Sequence, residues 1–330
     1  MKRITRRRAI AGLATLSLSL AGLGFATDVA AQEYPSRPVK IIVPYPPGGT
    51  NDSVARVLAQ RLQDRFKTPF IVENKAGASG NLGAEQVARS PADGYTLILV
   101  TMGHTIHPSL YKNLRYDIRK DLVPITSLTS GPALLMVNPS LGINSVQDLI
   151  ARAKAKPGEL NFSSAGNGSS THLATEYLSV QAGIKMTHIP FNGSAPAMMD
   201  VIAGNSQVVM DMMFSATPQV KGGKLKAIAQ TGLKRSPSMP DVPTVAESGL
   251  PGFEVSVWNG LMAPANTPKE VINKLNGAVR LELERPEFKD RLAAQGYEPI
   301  PSTPEQFGKL IDQDLERWAK VVKASGAKVE

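Results

Sequence analysis

Cysteine is absent from all 330 residues. That excludes disulfides, cysteine-based zinc sites and thiol catalysis together. Aromatic side chains make up only 5% of the chain, and no basic block has aromatics interleaved with it, which removes nucleic acid as a partner. Neither a Walker A pattern nor a Gly-x-Ser-x-Gly elbow occurs. The apolar run from Ala9 to Ala26 is too short, and ends too polar, for a retained transmembrane span. Stability has to come from burial. With 42% hydrophobic residues, the chain can build one large domain or two lobes.

What is present begins with an address. Lys2, Arg3, Arg6, Arg7 and Arg8 precede the apolar run, and Val29-Ala30-Ala31 offers small residues at a cleavage site before Gln32. Residues 1–31 therefore read as a signal peptide. Thr5-Arg6-Arg7-Arg8-Ala9-Ile10 fits a twin-arginine signal or an ordinary Sec signal with extra arginines. No cysteine follows the cleavage site, so no lipid anchor is expected. Without residues 1–31 the chain keeps 32 basic and 27 acidic side chains, a formal charge of +5 rather than +9. That modest surplus suits an anionic ligand.

Short apolar runs then alternate with amphipathic segments, the pattern of βαβ units around parallel sheets. Val39–Val43, Phe70–Asn74 and Tyr95–Val100 read as strands, with helices over 52–65 and 82–89. Pro124–Leu128 and Ala133–Val137 read as two strands split by Gly131-Pro132. Further strands at 160–163, 186–190, 208–212 and 225–229 alternate with helices at 145–155, 171–182 and 195–203. Glu254–Trp258 is a return crossing, and helices near 268–284, 286–294 and 304–325 fill the tail. The expected fold is α/β with two lobes joined by a hinge. Residues 32–130 plus 252–330 form lobe one and 131–251 lobe two, with a ligand cleft at the carboxyl ends of both sheets.

Four polar, glycine-containing loops stand at strand-to-helix turns. Ser164-Ala165-Gly166-Asn167-Gly168-Ser169-Ser170-Thr171-His172 is the sharpest: glycines let backbone approach a ligand, helix-start amides favour negative charge, and hydroxyls add donors. An ordinary N-cap needs only one of these residues. Pro44 to Asp52, Phe191 to Pro196 and Gly77 to Asn81 are the others, with Asp52 placed to fix its loop. No acid follows Gly166-Asn167-Gly168 at the spacing a dinucleotide site requires. His104 and His107 lack a metal-ligand partner set and read as packing residues. His172 is a candidate ligand donor or helix-start residue, and His188 reads as structural. Asp211 is placed to meet an amino or hydroxyl group at a strand end. Trp258 and Trp318 read as hinge and packing aromatics.

Tyr34-Pro35-Ser36-Arg37-Pro38-Val39, Ile42 to Gly49, Val72 to Ala78, Asp93-Gly94-Tyr95-Thr96-Leu97, Ser164 to Gly168 with His172-Leu173, Pro240 to Glu247 and Trp258-Asn259-Gly260-Leu261 occur in order along the chain. Together they resemble the tripartite tricarboxylate transporter receptors, the Bug family. The resemblance implies a type II periplasmic-binding-protein fold, capture of a small carboxylate without an arginine pair, and delivery to membrane permease subunits. It carries Gly48, Gly49 and Thr50 over as ligand-binding residues of lobe one. Ser164, Gly166, Ser169, Ser170, Thr171, Asn192, Gly193, Ala195 and Asp211 carry over to lobe two, joined by His172 from the loop reading. No metal, cofactor or catalytic residue is expected, and a monomer is. The competing readings are an exported carboxylate hydrolase using Ser170 and His172, and a ligand sensor for a signalling kinase.

Overall fold

The computed structural model describes residues 33–293 and 296–328. The signal-peptide reading of residues 1–31 lies outside the described residues. β1 (Val39–Val43) leads into α1 (Thr50–Phe66), β2 (Phe70–Asn74), α2 (Asn81–Ala88), β3 (Thr96–Thr101) and α3 (Gly103–Leu110). A long β4 (Leu122–Val137) precedes α4 (Val146–Ala155), β5 (Asn161–Ser164), α5 (Ser170–Ala182), β6 (Thr187–Pro190), α6 (Ser194–Ile202), β7 (Val208–Met212), α7 (Met213–Lys221) and β8 (Lys226–Gln230). The chain continues through β9 (Ser256–Pro264), α8 (Lys269–Leu283), α9 (Pro286–Ala293), β10 (Glu298–Pro299) and α10 (Pro304–Ser325).

The local causes are visible in the sequence. Val54, Ala55, Leu58, Ala59 and Leu62 of α1 are buried along one stripe. Helix α10 starts with a reciprocal Thr303–Gln306 capping box and stops at Gly326 in the left-handed region. Strand β3 is buried from Leu97 through Thr101, as a central strand covered on both faces must be.

The strands form a two-lobed arrangement in the order β2-β1-β3-β9-β4-β7-β5-β6, with β8 and β10 also on β4. Parallel β2, β1 and β3 make one half, closed by antiparallel β9. Parallel β6, β5 and β7 make the other. Strand β4 serves both halves: Leu122 to Pro132 pair with β9, and Ala133 to Val137 pair with β7 and β8. The two strands expected on either side of Gly131-Pro132 are thus one strand of 16 residues. Pro132 does not break it because it holds the last position against β9, where the strand changes partners and its missing N–H falls between two ladders. The return strand begins two residues later than expected and runs on to Pro264. Helices α3 and α7 and the short β10 are additions to the sequence reading.

Both crossings between the halves are tied by one buried side chain. Thr231 Oγ1 accepts from the Ala133 amide at 2.8 Å and donates to the Val255 carbonyl at 2.6 Å. The Thr231 amide donates to Ala133 O, and the Val255 amide to Thr231 O. Thr231→Val keeps the shape but leaves a buried N–H and a buried C=O unpaired. It should lower stability by about 2–6 kcal/mol at roughly 1–3 kcal/mol for each of the two orphaned groups. The midpoint of urea unfolding measures this, and an unchanged midpoint would remove Thr231 from the crossing's support.

Candidate functional site

Three helices begin at one cleft of about 240 Å³. Tyr45 to Asp52 and Thr101 line it from one half; Ala165, Ser169 to Thr171, Asn192 to Pro196, Met198, Met212 and Ser215 line it from the other. Helix α1 starts after Gly49 and α6 after Gly193, and neither glycine can supply a capping side chain. Helix α5 starts after Ser169, whose hydroxyl accepts from the His172 amide and leaves those of Ser170 and Thr171 free. The first amides of each helix have no intrahelical acceptor, so they face the cleft as donors at the positive ends of three dipoles.

The rest of the wall holds these helix starts still. Asp52 accepts from the Gly48 amide, from Arg56 and from Asn74, each at 3.0 Å. Burial alone would raise its pKa, but the bonds from Arg56, Gly48 and Asn74 together hold it below the usual carboxylate range. Asn74 also donates to the Tyr45 carbonyl at 3.1 Å, so the proline-rich loop is fastened at both ends. No lysine or arginine lines the cleft among the described residues. The Ser170 hydroxyl has no partner within the described residues, although the residue is buried.

Nine of the thirteen residues singled out from sequence line this cleft: Gly48, Gly49, Thr50, Ser169, Ser170, Thr171, Asn192, Gly193 and Ala195. The structure turns the other four elsewhere. Ser164 is buried, with its hydroxyl 2.6 Å from His188 Nε2 and engaged with the Gly166 amide and carbonyl. Gly166 lines a second, more open cavity of about 710 Å³ beyond the Ala165 and Asn192-Gly193 wall. The His172 ring stacks on His188 at 3.7 Å; its Nδ1 accepts from the Gly168 amide and its Nε2 lies 3.8 Å from Glu176. Neither nitrogen is directed at Ser170, so the pair that a hydrolase would need is not formed. Asp211 sits wholly buried behind the wall, with Oδ1 accepting from the Met212 amide and from Ser215. Burial raises its pKa despite those bonds. Tyr45 and Ser194 join the wall from within the expected loops, whereas Thr101, Met212 and Ser215 were not among the residues the sequence singled out. Thr101 and Met212 end strands beside the expected loops, and that position was the available signal.

The two halves also touch beside the cleft. Ser79 Oγ and Tyr111 Oη both donate to the Asn167 carbonyl, at 2.6 and 3.1 Å. Gly168 lies against the His107 ring so closely that a Cβ there would stand 3.2 Å from it.

A family profile described as tripartite tricarboxylate transporter family receptor matches residues 54–327. Protein BugT of Bordetella pertussis is 39% identical over 320 residues, covering 96% of this chain and 98% of that protein. An R. palustris protein solved with adipate superposes with a TM-score of 0.86 at 36% identity, over 90% of this chain and all (100%) of that one. MatC from Rhodopseudomonas palustris with bound malate gives 0.82 at 33% identity, over 88% and 100%.

The four histidines impose a pH dependence. Burial pushes His104 and His188 down to about 4, from an ordinary 6.5. Burial and the neighbouring His188 bring His172 to about 2; burial and His104 hold His107 well below its usual value. Between about pH 6.5 and 4 the unfolded chain binds protons that the native state refuses. The stability that the neutral rings contribute is complete above that window and falls as pH drops through it, by at most about 1.4 kcal/mol per pH unit for each histidine. Glu176, raised by burial to about 7, acts in the opposite sense, as do Asp211 and Asp314, which burial also raises, so three carboxyls stand against four imidazoles. The melting temperature should therefore fall between about pH 6 and pH 4.5, where the four imidazoles outnumber the opposing carboxyls. A flat or rising profile would mean that these rings are hydrated in solution.

Proposed function

The chain belongs to the tripartite tricarboxylate transporter receptor family, and from that membership we propose that it is a periplasmic receptor that closes over a small carboxylate and presents it to membrane permease subunits. The observation that carries the carboxylate reading is the convergence of three helix starts and the unpartnered Ser170 hydroxyl on a cleft whose described lining lacks lysine and arginine. A carboxylate supplies two oxygens with several lone pairs, the acceptors that those amides and hydroxyls lack. Relatives solved with adipate and malate support the same ligand class. No described helix is long and apolar enough to cross a membrane.

The lobe limits that go with this reading are 32–130 plus 252–330 for one lobe and 131–251 for the other. The change of partners on β4 at Pro132–Ala133 and the return into β9 support them. Closure brings both lobes onto one ligand, so the ligand favours the closed form by its contacts with the second lobe. The closed form is then the one that membrane subunits recognise.

A thermal-shift screen of residues 32–330 against small acids, amides and sugars tests the ligand class, because a ligand of the folded state raises the melting temperature by mass action. Stabilisation by carboxylates is expected; silence across the acids with a response to a neutral or cationic compound would contradict it. Ser170→Ala should leave the unliganded melting temperature unchanged, since the hydroxyl has no internal partner, and weaken carboxylate binding about tenfold. Unaltered affinity would remove Ser170 from the site.

A further inference from the structure

Two hydroxyls from one half converge on a single carbonyl of the other, and neither belongs to the ligand wall. Ser79 Oγ lies 2.6 Å and Tyr111 Oη 3.1 Å from Asn167 O. A carbonyl can only accept, so both hydroxyls donate, and together they occupy both of its lone pairs. Ser79, Tyr111 and Asn167 line the second cavity and not the 240 Å³ cleft. Any effect of these bonds on binding is therefore exerted without contact with a ligand held at the helix starts.

Each side of the junction is shaped by its own half. Gly77, Ala78, Ser79 and Gly80 have φ of 137°, 47°, 55° and 102°, a run in the left-handed region that is rare for Ala78 and Ser79. The Gly80 amide donates to the Gly77 carbonyl at 3.0 Å. Gly80 also lies so close to Tyr45 and His104 that a Cβ there would stand 3.3 Å from both side chains. Those contacts set the direction of Ser79 from within its own half. The Tyr111 ring packs edge-on against His107, and its amide donates to the His107 carbonyl at 2.9 Å. Opposite, the Gly168 amide donates to His172 Nδ1 and the Ser169 amide to the Gly166 carbonyl, each at 3.1 Å, which fixes the backbone around Asn167. Donors and acceptor are thus preset, and joining them orders little that was free. The loop that carries Asn167 continues directly into Ser169, Ser170 and Thr171 of the ligand wall.

We propose that Ser79 and Tyr111 are positioning residues that raise ligand affinity by latching the two halves together at Asn167, by the same factor for every ligand. A ligand that closes the halves gains these two bonds along with its own contacts, so the latch enters the affinity through the closed form. Both bonds break before the ligand leaves, which places the effect in the dissociation rate. This rests on the closure reading above and adds to it the groups that hold the closed form.

Calorimetry and stopped-flow binding of succinate, malate, adipate and phenylacetate to Ser79→Ala, Tyr111→Phe and the double variant test it, with small-angle scattering to follow closure. Each single variant should weaken every acid that binds by about fivefold, the worth of one net hydrogen bond, and the double variant by more. The factor should be equal across the acids and appear as faster dissociation at an unchanged association rate. Saturated variants should still reach the compact dimensions of the unaltered protein. Residues that only supported the fold would lower the unliganded melting temperature and leave dissociation alone. Compaction of the unaltered protein together with unchanged affinities in the double variant, or with factors that differ from acid to acid, would overturn this proposal and leave the closure reading standing. No compaction on saturation, or no binding by any of the four acids, would overturn both.

Discussion

Unpaired backbone amides at the starts of α1, α5 and α6 are the constraint around which the rest of this molecule is arranged. A helix cannot satisfy its own first amides, and ordinary proteins cap them with side chains or water. Here two of the three N-cap positions are glycine, which offers no side chain to do so. Facing three such ends into one cleft concentrates positive potential without a formal charge. An anion entering there replaces water with fixed dipoles and needs no basic side chain to be desolvated alongside it. The buried Asp52 fits the same logic, since Arg56, Gly48 and Asn74 engage its oxygens and turn its charge to holding the loop.

A cleft of this kind has to be assembled from two halves that keep their register. Strand β4 supplies that register by belonging to both half-sheets, and Thr231 bonds its crossing point to the returning chain. Ser79 and Tyr111 meet Asn167 across the gap, next to the loop that starts α5. Contacts between the halves therefore lie beside the ligand wall. An anion that draws the helix starts together also draws these groups together.

Much of this was legible in the sequence, for physical reasons. The glycine- and hydroxyl-rich strings after Val43, Ser163 and Ile189 exceed what capping requires, and nine of the candidate residues singled out in them line the cleft. Side-chain direction was not legible. Ser164 and His172 lie in the right loop, yet one bonds back to His188 and Gly166 and the other stacks inward on His188. Helix α3 escaped notice because Gly103 to His107 and Leu110 are all buried, so no polar face marks its period, and Pro108 and two histidines obscure it further. Helix α7 is nine residues long with Pro218 inside it. The Gly131-Pro132 pair looked like a break because sequence alone does not reveal that a strand changes partners at that point.

On this reading, backbone amides rather than charged side chains hold the anion. Amide chemical shifts of labelled protein, followed while titrating the acid that stabilises it most, test this directly. The largest downfield shifts are expected at Thr50, Asn51, Ser170, Thr171, Ser194 and Ala195, saturating together. Saturable binding that leaves those amides in place and instead moves lysine or arginine side-chain signals would contradict it.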